Sequence, residues 1–126
     1  MASHIHSMTF DALDPYAQAQ WWSEVLAVAM SPDDNPGDPE AQLRTHHGDL
    51  LFVQVPDAKA VKNRVHLDLE PSDRSRDEEV ARLVSLGAVV VDDLRRHDGA
   101  GWVVLADPEG NEFCVLRSAA ERAATS

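Results

Sequence analysis

Within residues 63–72, NRVHLDLEPS, apolar and polar side chains alternate from Arg64 onward, and this constrains the fold more than any other stretch. Val65, Leu67 and Leu69 share one parity; Arg64, His66, Asp68 and Glu70 share the other. A period of two over that length predicts a strand with one face on a core. The second face carries an imidazole beside two carboxylates, and it is either solvated surface or the wall of a cavity.

On either side of that strand the chain spells out the same series of elements. A β-leaning start over 4–11 is followed by Asp14-Pro15, an N-cap and a first helical position, and a helix to about Ala27 whose stripe is Gln18, Trp22, Val25, Leu26 and Ala29. Prolines and aspartates over 31–39 demand a surface loop, and short strands over 41–46 and 49–55 meet at His47-Gly48. After a linker over 57–62 and the strand around His66, Ser75 and Glu78 form a capping box for a second helix ending at Gly87. Strands over 88–94, 101–106 and 111–117 follow, the last two joined by the turn Asp107-Pro108-Glu109-Gly110. Residues 118–126 read as a ragged tail.

Three landmarks make this an internal repeat, with module one at 3–56 and module two at 63–117. Ser7 precedes Asp14 by the interval that separates His66 from Asp73; Leu26-Ala27 and Leu86-Gly87 end the helices; Gly48-Asp49 and Gly110-Asn111 open the final strands. Superposed, they pair Ser7 with His66 and Phe52 with Cys114. Parity then puts Met8, Phe10, Leu51, Val53, Val65, Leu67, Phe113 and Val115 under the helices. Ser7, Phe52, Gln54, His66, Asp68, Trp102, Glu112 and Cys114 fall on the opposite faces, a mixture suited to a small-molecule pocket.

Charge limits the partners. Against 11 Lys and Arg stand 22 Asp and Glu, a formal net charge of -11 that repels a phosphate backbone, so nucleic acid and anionic membrane are poor partners. The single cysteine, Cys114, rules out an internal disulfide and fits a reducing compartment. Without a signal-peptide pattern or a long apolar run, the expectation is a cytoplasmic protein.

The paired modules, the segment KNRVHLDLEPSD and the ending GWVVLADPEGNEFCVL resemble the vicinal oxygen chelate superfamily in its glyoxalase-like branch. That resemblance implies an α+β fold of two βαβββ modules, forming a cupped mixed sheet with the helices on its outer face. It also implies, in the enzymes of the group, a divalent metal held by the first and last strands of each module. Here those places fall on Ser7, Phe52, His66 and Cys114. His66 is the one usual ligand among them, and a slip of two residues would add Glu112. The ligand set is incomplete, so no metal or other cofactor is expected.

Two functions stay open. One is metal-independent binding of a small molecule, with aromatic ligands among the candidates, as in the bleomycin-resistance branch. The other is a glyoxalase-type lyase or isomerase using His66 and Glu112 as acid and base or as a partial metal site. His66 either titrates in catalysis or stiffens the sheet through Glu112. Cys114 is either a nucleophile activated by His66 or a small buried hydrophobe. Trp102 either stacks on a ligand or packs in the core. A homodimer is expected, since family members commonly complete the cup with a partner and open sheet edges need cover.

Overall fold

The computed structural model describes residues 2–125. The chain divides into two compact units between Ala58 and Lys59. The first is β1 (Ser7–Ala12), α1 (Pro15–Leu26), β2 (Glu40–Thr45) and β3 (Gly48–Gln54). The second is β4 (Asp68–Leu69), α2 (Arg76–Ser85), β5 (Val89–Asp93), β6 (Val103–Ala106), β7 (Glu112–Val115) and α3 (Ala119–Thr125). The α+β class and the two consecutive modules follow the sequence expectation. Module two has the full β-α-β-β-β order, whereas in module one residues 28–39 connect α1 to β2 without a strand. Among the described residues no helix is long and apolar enough to cross a membrane.

In module one the sheet order is β1-β3-β2, with β1 parallel and β2 antiparallel to β3. Asp14 caps α1 by accepting from Ala17 N at 3.1 Å, and Pro15 occupies the first turn. Trp21 and Trp22 meet edge to face at 5.1 Å and are both buried. The buried face of the sheet is Ala41, Leu43, Leu50 and Phe52.

That face corrects the parity expected for module one. Phe10 is in register with Phe52, and their rings stack at 5.5 Å, so the two lie on the same side. Leu51 and Val53, expected under the helix, belong to the opposite side and are only half-buried. Phe52 is therefore a core residue at 0% exposure. Gln54 shares its parity and is exposed at the strand's end. The register pairs Thr9 with Leu51 and Asp68 with Cys114, so Leu51, not Phe52, is the structural counterpart of Cys114. The slip arises because Gly48 is already inside β3, whereas Gly110 lies in the turn before β7. One residue of slip turns every side chain to the other face.

Module two has the order β4-β7-β6-β5, with β4 parallel to β7. Val103, Leu105, Phe113 and Val115 form its buried side with Val80 and Leu83 of α2. Fully burying each such side chain is worth about 1.5–3 kcal/mol. Here the expected parity of β6 and β7 holds. The long alternating strand does not: only Asp68–Leu69 is strand, and Val65 is 75% exposed. β4 is an edge strand whose ladder with β7 is two residues long.

The tail is a helix rather than ragged chain. Ser118 Oγ accepts from Glu121 N, and Glu121 Oε1 accepts from Ser118 N, a reciprocal cap readable in the sequence as Ser-Ala-Ala-Glu. Arg122 ties the helix to Glu70 at 2.9 Å.

Candidate functional site

Module two contains a hollow of about 410 Å³, within the range of small-ligand sites. Its apolar surface is Trp102, Val104, Cys114 and Leu116; its polar surface is Lys62, Asn63, His66, Asp68 and Glu112. The strand period explains this. Trp102 and Val104 alternate with the buried Val103 and Leu105, and Glu112 and Cys114 alternate with Phe113 and Val115. The structure thus brings together five of the expected residues: His66, Asp68, Trp102, Glu112 and Cys114. Ser7, Phe52 and Gln54 belong to module one, where Ser7 begins β1 in register with Asp49.

Asn63, which sequence reasoning passed over, braces this wall. Its side chain accepts from Glu112 N at 3.0 Å and donates to Glu112 O at 3.2 Å and to Val65 O at 2.7 Å. The amide thus does for β7 what a missing stretch of β4 ladder would have done. Lys62 ends the linker expected over 57–62. Its ammonium pairs with Glu112 Oε1 at 2.5 Å, and that hydrogen bond holds the Glu112 carboxyl below its ordinary range.

The pairing corrects the expected partnership of His66 with Glu112. The imidazole Nε2 lies 3.2 Å from Asp68 Oδ1 instead, and both side chains are about half exposed. Cys114 is buried. Burial first, then the charge and hydrogen bonding of Asp68, push its thiol up to about 11. A thiol so held is protonated near neutrality, which favours the reading of Cys114 as a small buried hydrophobe.

His66, Asp68 and Cys114 each offer one donor atom, and these atoms lie within 4.8 Å of one another. An imidazole, a carboxylate and a thiol make a three-donor set of the kind that leaves a fourth position of a zinc-like ion open. By donor chemistry the residues fit a borderline-soft divalent ion, with Asp68 rather than Glu112 as the third donor. In module one neither Phe52 nor Leu51, the structural counterpart of Cys114, has a side-chain donor atom.

Residues 7–116 match the glyoxalase-like domain family. No curated protein matches the chain. Among solved structures, the fosfomycin resistance protein FosX of Mesorhizobium loti superposes with a TM-score of 0.69 at 17% identity, covering 98% of this chain and 99% of that one. FosX of Listeria monocytogenes, solved with Mn(II) and 1S,2S-dihydroxypropylphosphonic acid, gives 0.72 at 15% identity, with 97% and 95% covered. A glyoxalase-related enzyme of Fulvimarina pelagi gives 0.65 at 19%, with 91% and 88% covered. At these identities the likeness is one of fold.

Proposed function

The chain belongs to the glyoxalase-like domain family, and on that premise we propose that module two binds a small, flat organic molecule in its hollow, without needing a metal. The observation that carries this is Trp102, which lines the hollow while 38% exposed, although Trp21 and Trp22 are buried. An indole kept open beside Val104 and Leu116 offers a stacking face over an apolar floor. The Lys62–Glu112 ion pair and the His66–Asp68 contact offer polar groups at the same surface. The experiment is a titration with neutral bicyclic aromatics such as naphthalenediols, read by quenching of tryptophan emission. Saturable quenching in the metal-free protein that disappears in Trp102→Phe supports the reading; no saturable quenching overturns it.

A second reading, lyase or isomerase chemistry of the glyoxalase type, draws support from the donor set His66, Asp68 and Cys114. A divalent ion there would supply Lewis-acid polarisation of a substrate oxygen. In that reading His66, Asp68 and Cys114 would hold the ion, and Glu112 binds rather than catalyses because Lys62 holds it ionised. Stoichiometric metal in the purified protein, lost in His66→Ala, would favour this reading over the first.

The chain is further read as a cytoplasmic homodimer. The edge strand β5 leaves Val89, Val90 and Val91 exposed at 63%, 42% and 50%, a surface that a second copy would cover. Light scattering at micromolar concentration tests the dimer, and a monomer overturns it.

A further inference from the structure

Arg76 opens α2 and is 4% exposed despite its charge. A cation at a helix N-terminus opposes the helix dipole, and a buried guanidinium is costly unless its donors are used. Nothing about forming α2 calls for it. Its Nη1 donates to the carbonyl oxygens of Gly99, Ala100 and Gly101 at 3.0, 3.1 and 3.0 Å, and its Nε donates to Asp77 at 3.1 Å. Its own backbone N donates to Glu121 Oε1 at 2.6 Å, so α3 steadies the same point.

The carbonyls it gathers belong to the loop between β5 and β6, and that loop has little freedom. Gly101 sits at φ +91, and a Cβ there would stand 2.0 Å from Leu94 O. Leu94 N donates to Trp102 O, and Arg96 N to Ala100 O, each at 2.9 Å. The next residue after the gathered carbonyls is Trp102, the wall of the hollow.

We propose that Arg76 is a positioning residue for the hollow: by fixing the backbone of 99–101 it sets the angle at which the Trp102 indole stands. This rests on the reading of the hollow as a ligand site, but its test needs no ligand. With Trp21 and Trp22 buried, acrylamide quenching of tryptophan emission reports Trp102. In Arg76→Met the quenching slope rises about twofold, as an indole freed from its support opens its second face to solvent. Arg76→Lys, which keeps the charge but not the fork, falls between. Val80→Ala, a cavity in the same helix, lowers the melting temperature without moving the slope. Adding Arg76→Met to Trp102→Phe produces no rise.

An unchanged slope in Arg76→Met, or an equal rise in Val80→Ala, overturns the proposal. Should Arg76→Met fail to fold by circular dichroism, the slope of Arg76→Lys decides in the same way. A wild-type chain that binds no naphthalenediol while the Arg76 slope still moves sinks the ligand reading alone.

Discussion

Asp68 stands opposite Cys114 in the parallel register of β4 and β7, which sets a carboxylate against a buried thiol. The thiol's proton affinity, raised to about 11, follows from burial and from that neighbour. Because the folded chain holds this proton more tightly than the unfolded chain, the contribution is complete below the ordinary thiol range. It is lost as pH rises through that range toward 11, at a cost of about 3 kcal/mol. Reaction with a disulfide reagent should be slow at neutrality and accelerate only in strong alkali. Asp68→Asn should move that acceleration to lower pH; an unchanged profile would leave burial as the sole cause.

The Lys62–Glu112 pair makes a prediction of opposite sign. A carboxyl whose folded pKa is lowered stabilises above its unfolded pKa and loses that contribution as pH falls through the folded value. Lys62→Ala should raise the Glu112 titration midpoint, followed by the NMR shift of its side-chain carboxyl carbon. The melting temperature at neutral pH should barely move, since exposed ion pairs contribute little.

Phe52→Ala should destabilise the protein by about 3–5 kcal/mol in urea unfolding, the ordinary cost of emptying a closed aromatic site. Phe52 is fully buried against Phe10. A change below about 1 kcal/mol would place its ring outside any core.

Trp102→Ala should weaken naphthalenediol binding far more than it lowers the melting temperature, because the indole is only part-covered in the free protein. A large loss of stability with binding intact would make Trp102 a packing residue.

Much of this was legible in the sequence because two signals were strong. Asp14-Pro15 and the Ser75/Glu78 box set the starts of α1 and α2, and the alternation around Val103 and Phe113 assigned the two faces of module two. Module one was misread by a single residue, since a glycine inside β3 was equated with a glycine in a turn. The alternation within 63–72 says which side chains share a face but not how much neighbouring strand exists to pair with. The roles of Lys62, Asn63 and Arg76 had no local pattern at all. Each acts on a backbone or carboxylate 23 to 50 residues away, a relation only the folded chain creates.

Leu94 O lies so close to Gly101 that any larger residue there would have to dislodge the hairpin. Positions 102 and 104 carry no such restriction, since their side chains project into open space. An engineer seeking new guests for this cavity should therefore redraw the wall at Trp102 and Val104, and leave the glycine beside them alone.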